Sequence, residues 1–346
     1  KPIAQSLDED LELICLAEEM GFEEFWVGEH HTLKYEPIVM PEIFIGRALA
    51  DTSRIRIGPA PACVDIHHPA HMAGRLAFLD HLSKGRLNLL LGSSSVTADQ
   101  ELYGVHPKEA AARSDEAIDM ILKLWESEPP YHLEGKFWQI HLEENVDMET
   151  MIGYIHKPLQ RPHPPISIPG MSRNSSSMRM AGERGFAPYA HCLVPGNVVA
   201  DLFQTYEKGA ASAGRSVVRT EFRLARSIFV ADTTTEAEQI VRSNSLGKNY
   251  EYIGLLFDKG IGRKIYKRDL DMPDSECGLE YLMTEQIIAG DVDQVVKRLL
   301  AVYEECGGFG ILNMMSYDWD DKQRWVRSME LFSREVMPAL NKAVGA

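Results

Sequence analysis

The feature that most limits how this chain folds is a recurring pair: a short, almost wholly apolar run, then a longer segment of helical periodicity. The apolar runs are Glu24–Gly28, Arg54–Gly58, Arg86–Leu91, Pro165–Pro169, Phe186–His191, Phe222–Ala231 and Phe309–Met314. Helical spacing predicts helices near Pro41–Asp51, Pro69–Leu82, Glu109–Glu126, Ser175–Glu183, Val198–Ala211, Thr235–Gly247, Val292–Cys306 and Lys322–Ala339. Strands that are apolar throughout, alternating with helices, belong to a parallel sheet covered on its outer face. An open doubly wound sheet satisfies that pattern. Seven such units with no Pro/Ser-rich linker or charge run between them fit a TIM-type (β/α)8 barrel better, as one domain over residues 1–346. The barrel's first strand is expected ahead of the helix carrying Leu7, Leu11, Ile14 and Cys15, and so is read as missing from this sequence. Two segments interrupt the rhythm. Tyr131–Ile140 alternates around Glu134-Gly135 and reads as an inserted hairpin, and residues 248–285 read as a long lid segment.

Charge narrows the partners. The 346 residues carry 51 acidic against 36 basic side chains, a net charge of −15, and that field repels nucleic acid and acidic membrane. No apolar run approaches the roughly 20 residues of a membrane helix, and residues 1–25 lack the pattern of a secretory leader, so the expected location is cytoplasmic. Cys15, Cys63, Cys192, Cys277 and Cys306 form no CxxC pair, which argues against a disulfide framework or a zinc site.

Chemistry is expected at the carboxyl ends of the strands, the functional face of a parallel barrel. Trp26 to His31 (W-V-G-E-H-H) places a carboxylate and two imidazoles there; adjacent histidines diverge, so at most one of them enters the barrel. Ile66 to His71 (I-H-H-P-A-H) has no carboxylate at ligand spacing and reads as a helix entry, so no metal ligand set is assigned. Leu91 to Ser95 (L-G-S-S-S) ends a strand in small residues that let a flat ligand approach the backbone. Ile168 to Ser177 runs from a strand into a helix with serines, Asn174 and Arg173, a cradle suited to phosphate, although an ordinary helix cap needs only one of those serines. Arg113 opens another helix, where its guanidinium has either a phosphate or a surface carboxylate as partner.

Taken in order, Ala17–His31, His68–Arg86, Arg113–Trp125, Pro164–Ser172 and Ala289–Val296 resemble the bacterial luciferase superfamily of flavin-dependent monooxygenases. The resemblance implies a barrel that takes reduced FMN from a separate flavin reductase. With dioxygen it oxygenates a small hydrophobic substrate (an aldehyde, cyclic ketone or terpene-like alkene) through a flavin hydroperoxide. It implies His30 as the catalytic histidine and Glu29, Ala60, Pro61, Gly92, Ser93, Arg113, Gly170, Met171, Ser172, Asn174 and Ser177 as cofactor contacts. The Ala60-Pro61 step aligns with a cis bend of the family. Tyr35, Met40, Phe44 and Trp138 are candidates for a substrate pocket, with core packing as the alternative for each. A homodimer, or a heterodimer with a related subunit, is expected.

There are departures. Gly92 and Ser93 stand where luciferase itself has a cysteine and an arginine, which argues against light emission from a long-chain aldehyde. The rival readings are a deazaflavin-dependent hydride-transfer oxidoreductase, a flavin-binding protein without turnover, and a metal-dependent hydrolase built on the clustered histidines.

Overall fold

The computed structural model describes residues 1–259 and 262–345. In chain order the elements begin with helix α1 (Ile3–Glu19), strand β1 (Glu24–Val27), α2 (Pro41–Ala48), β2 (Arg56–Pro59), β3 (Ala62–Cys63), α3 (Pro69–Ser83), β4 (Leu89–Gly92), α4 (Thr97–Leu102) and α5 (Ala110–Glu126). The hairpin β5 (Tyr131–Glu134) and β6 (Gln139–Leu142) leads to β7 (Ile166–Gly170), α6 (Ser176–Arg184), β8 (Ala187–Ala190), α7 (Gly196–Ser212) and β9 (Arg223–Val230). Then come α8 (Thr234–Val241), α9 (Ser245–Asp258), α10 (Leu279–Glu285), β10 (Ile287–Gly290), α11 (Val292–Cys306), β11 (Ile311–Met314), α12 (Lys322–Leu331) and α13 (Met337–Val344). All seven expected strands are present, and the fold is the expected α/β class. Among the described residues no helix is long and apolar enough to cross a membrane.

The chain divides into two compact units, Glu23–Ile168 and Lys1–Phe22 with Pro169–Ala346. In the first, β1 pairs in parallel with β2, Ile57 of β2 bridges to Leu87, and β4 pairs in parallel with β3 and with Ile166–Ser167 of β7. The Leu79–Arg86 motif is the buttress of this unit. Buried Asp80 accepts hydrogen bonds from Gln160 N (2.8 Å) and Nε2 (2.7 Å). Arg86 donates through Nη1 to Thr52 Oγ1 and to the Ile55 carbonyl, both at 3.1 Å. Lys84 and Gly85, at φ 55° and 82°, turn the chain out of α3 so that this guanidinium can face back.

In the second unit, β8 and β11 both pair in parallel with the first half of β9, and β10 with its second half. Ile228, Val230 and Ile288 pack against Val295 and Leu299 of α11 and against Leu331, Phe332, Val336 and Leu340. Phe332 stacks on Phe22 at 5.9 Å between ring centroids.

One local reading is corrected, and two details are new. The helix expected over Thr235–Gly247 is two helices, because the Asn244 side chain accepts from Gly247 N (3.3 Å) and caps a new start. The segment 248–285 is helical over much of its length, in α9 and α10, and residues 260–261 within it lie outside the described residues. The buried strand β10 was not expected: its I-I-A-G run is short and sits directly between helices.

Gly58 marks the tightest approach of β2 to its neighbour, since a Cβ there would lie 2.0 Å from the Asn88 carbonyl oxygen. Backbone atoms in a paired strand cannot yield. Gly58→Ala is therefore expected to lose about 1–3 kcal/mol of stability, measured by urea unfolding, while Gly74→Ala, with open space around it, is expected to lose none.

Candidate active site

Strand β1 delivers Glu29, His30 and His31 just beyond its carboxyl end. Glu29 is buried, with 1% of its surface exposed. One carboxylate oxygen accepts from His67 Nε2 (2.6 Å) and His31 Nε2 (2.9 Å), and the other from the Cys63 backbone N–H (2.9 Å). Burial pushes the Glu29 pKa up, but the hydrogen bonds and charge interaction of His67, with the Cys63 and His31 donors, outweigh it and leave the carboxyl below its usual range. With its Nε2 proton given to Glu29, His31 accepts through Nδ1 from the Tyr103 hydroxyl at 2.9 Å. Tyr103 is 41% exposed, so the network runs from a buried carboxylate to the surface of its unit.

His30 turns the other way. Its Nε2 lies 3.0 Å from a Glu36 carboxylate oxygen, and its Nδ1 3.9 Å from Asp99 Oδ2. The longer distance is an ion-pair contact rather than a hydrogen bond, and Nδ1 is buried without a hydrogen-bond partner. Burial lowers the His30 pKa, but Asp99 and Glu36 together lift it to about 9, so the imidazole is cationic near neutral pH. Asp99 is fixed by Thr32 Oγ1 (2.5 Å) and the His31 N–H (3.2 Å). Burial opposes its ionisation, yet His30 and these donors hold its carboxyl down at about 2.

Beside these residues in sequence and fold, the Ala60–Pro61 bond is cis, and Ala60 N donates to the Val27 carbonyl at 2.7 Å. Gly92 closes β4, and its carbonyl accepts from Val64 N (3.0 Å); the half-buried Ser93 follows. Asp65 is fully buried and accepts from Ser94 N through Oδ1 (2.9 Å), while its Oδ2 has no hydrogen-bond partner. Burial lifts the Asp65 pKa to about 6, against the pull of Ser94 and Arg113. Arg113 donates through Nε to the Asp65 carbonyl (3.1 Å) and lies over the rings of Trp138 (4.5 Å to the centroid) and Phe137 (5.4 Å). Its Nη groups make no hydrogen bond to the described residues. Trp138 also meets His68 edge-on. Of the other candidates for a substrate pocket, Phe44 is buried in α2, Met40 is half-buried at that helix's start, and Tyr35 is 68% exposed.

The remaining expected cofactor contacts belong to the other unit. Ser175 caps α6 by accepting from Met178 N (3.3 Å), and Ser177 Oγ donates to the Pro169 carbonyl (3.2 Å). The Asn174 N–H is taken by Asp201 Oδ2 at 2.6 Å. Gly170 packs so closely that a Cβ would sit 2.8 Å from Leu202 Cδ2; Met171 and Ser172 follow it into the turn.

Sequence reasoning did not single out Asp65, Asp99 or Tyr103, and it read His67 only as part of a helix entry. The real entry residue is His68, whose Nδ1 accepts from Ala70 N (3.2 Å). The missing carboxylate of the Ile66–His71 cluster is Glu29, supplied by another strand, so spacing within one motif could not reveal it.

A parallel α/β unit with a histidine–carboxylate network at a strand's carboxyl end defines an enzyme of the strand-end type. Residues 2–308 match the model of the luciferase-like monooxygenases, and the chain belongs to that family. The 4-hydroxyprotoasukamycin monooxygenase of Streptomyces nodosus subsp. asukaensis is 31% identical over 341 residues, 97% of this chain and 87% of that one. The oxygenase component of the flavin-dependent trigonelline monooxygenase of Acinetobacter baylyi is 27% identical over 352 residues, 98% and 91% of the two chains. Among solved structures, the oxygenating constituent of Pseudomonas putida 3,6-diketocamphane monooxygenase, a type II Baeyer-Villiger monooxygenase in complex with FMN, superposes with a TM-score of 0.88. It is 26% identical, with 98% of this chain and 94% of that chain covered.

Two outcomes are expected from this electrostatic arrangement. The folded-state pKa of His30 lies above its unfolded value of about 6.5, so its contribution to stability is full below that pH and is lost as pH rises through about 9. Urea unfolding of wild type against His30→Gln between pH 6 and pH 10 should show the difference shrinking across that window, and a constant difference would count against the assigned charge. Glu29→Ala, which leaves the buried Cys63 N–H and the half-buried His31 and His67 without their acceptor, is expected to cost about 3–5 kcal/mol, and Glu29→Gln less, because the amide oxygen still accepts.

Proposed function

We propose that this protein is the oxygenase of a two-component system, receiving reduced FMN from a separate flavin reductase and using dioxygen to oxygenate a small hydrophobic substrate of the cyclic-ketone, terpene-like alkene or aldehyde class. The observation that carries this reading is His30: a cationic imidazole at a strand end, steadied by Asp99 and Glu36, with an Nδ1 that no hydrogen bond uses. The residues present fit a flavin mononucleotide. Asp65 Oδ2 is a buried acceptor awaiting a donor, as a ribityl hydroxyl provides, and Arg113 has Nη donors free for a phosphate. Small Gly92 and Ser93 let a planar ring come close to the backbone. In its own unit, the capped N-terminus of α6 is a further candidate for an anion.

Reduced FMN supplies the electrons that dioxygen needs. The protein's share is to bind the cofactor, exclude water and hold a proton at His30 for the oxygen-derived group. Glu29 acts at one remove, fixing the strand end from which His30 projects. The likeness to an FMN-bound Baeyer-Villiger oxygenase and to an oxygenase component supports both the cofactor and the partner.

Two measurements test the reading. Anaerobic titration should show Arg113→Ala weakening reduced FMN about tenfold or more while leaving reduced riboflavin unchanged; equal FMN affinities would remove the phosphate role. With a reductase, oxygen and a panel of cyclic ketones and terpenes, His30→Ala should bind reduced FMN normally yet form no oxygenated product. Normal product yield in that variant would remove His30 from the chemistry.

A further inference from the structure

The hairpin β5–β6 carries a pattern that the oxygenase reading does not use. Its sequence contains His-Leu-Glu twice, at residues 132–134 and 141–143. The antiparallel register sets His132 directly opposite His141. Alternation along each strand then puts Glu134 and Glu143 on the same face as the two imidazoles. The two rings stack at 4.6 Å with 12° between their planes. His141 Nε2 lies 2.5 Å and His132 Nε2 3.8 Å from the same Glu134 oxygen. One ligand atom from each of these three residues falls within 4.8 Å of the others. Behind them, His132 Nδ1 lies 3.0 Å from Glu143 Oε2.

We propose that this face of the hairpin binds a divalent transition-metal ion of the zinc type through Nε2 of His132, Nε2 of His141 and a carboxylate oxygen of Glu134, with Glu143 orienting His132. Two imidazoles and a carboxylate suit zinc, nickel or copper rather than calcium or magnesium, which prefer all-oxygen shells. Atoms bound tetrahedrally to zinc at about 2.0–2.1 Å lie roughly 3.3 Å apart, and the 2.5 and 3.8 Å separations straddle that spacing. The side chains are about half exposed, so small rotations suffice to reach it. With an ion bound at Nε2, the Nδ1 proton of His132 would be donated to Glu143, 3.0 Å away, the arrangement by which a carboxylate raises a ligating imidazole's basicity. The net charge of −15 favours any cation near this acidic surface.

Glu29, His31 and His67 also fall within ligand reach of one another, but they make a poorer site. Their contacts of 2.6 and 2.9 Å belong to side chains packed in the interior, and the second Glu29 oxygen is committed to Cys63. They cannot spread around an ion without breaking that network. On the hairpin, the ion would add a cross-link between two strands that otherwise share only a short ladder.

The test is isothermal titration of chelator-stripped protein with ZnCl2 at pH 7.5, alongside the visible spectrum with Co²⁺. Wild type should bind one zinc ion per chain and give the intense absorption of tetrahedral cobalt. His132→Ala and His141→Ala should each lose at least tenfold in affinity, Glu143→Gln a smaller amount, and the double histidine variant should show no saturable binding at this site. Absence of one-to-one binding in wild type would overturn the proposal. So would an unchanged affinity in the double variant, which would send the ion elsewhere. Equal thermal melting of the metal-free proteins checks the fold, and His132→Gln with His141→Gln gives the same comparison should an alanine variant melt early.

Discussion

The site depends on one buried charge. Glu29 sits where water cannot solvate it, and an isolated carboxylate there would either take up a proton or destabilise the fold. It does neither, because two imidazoles and a backbone N–H converge on it from separate parts of the same unit. Those three donors tie the end of β1 to β3 and to the entry of α3. The constraint runs both ways: the carboxylate is ionised because the strands hold donors around it, and the strand ends are held in place because the carboxylate needs them.

That anchoring gives His30 its character. It follows directly on Glu29, so its backbone is fixed, and its side chain meets Asp99 and Glu36 instead. Neighbouring residues of one strand end thus enter opposite electrostatic settings. Glu29 is a carboxylate among nitrogen donors; His30 is a cation among carboxylates. The pairing separates a carboxylate that organises the strand end from the cation on which the proposed chemistry rests.

Much of the architecture was legible because apolar strands and amphipathic helices announce themselves locally. The seven strands appear where their runs of Val, Ile, Leu and Phe stand. Strand β10 escaped because four residues give too little pattern, and its identity depends on pairing with Ser227–Val230, which is a tertiary fact. The break between α8 and α9 escaped because a single capping asparagine outweighed continuous helical spacing. In the site, His30 and Glu29 could be picked out by position at a strand end. Asp65, Asp99 and Tyr103 could not, since each matters through a partner far away in sequence: Asp99 through residues 30–32, Tyr103 through His31. The paired histidines of the hairpin were hidden for the same reason, being neighbours only across the register of two strands.

The hydroxyl of Tyr103 at one end of the Glu29 network bears on a conflict common to oxygen-using enzymes. Chemistry of that kind needs protons and is spoiled by water, so the two must be delivered by different routes. The sequence of contacts from the partly exposed Tyr103 through His31 to Glu29 and on to His67 is continuous, and imidazole passes a proton in at one ring nitrogen and out at the other. Such a chain of hydrogen bonds links the buried carboxylate to a partly exposed hydroxyl through side chains alone, with no water molecule needed as a step.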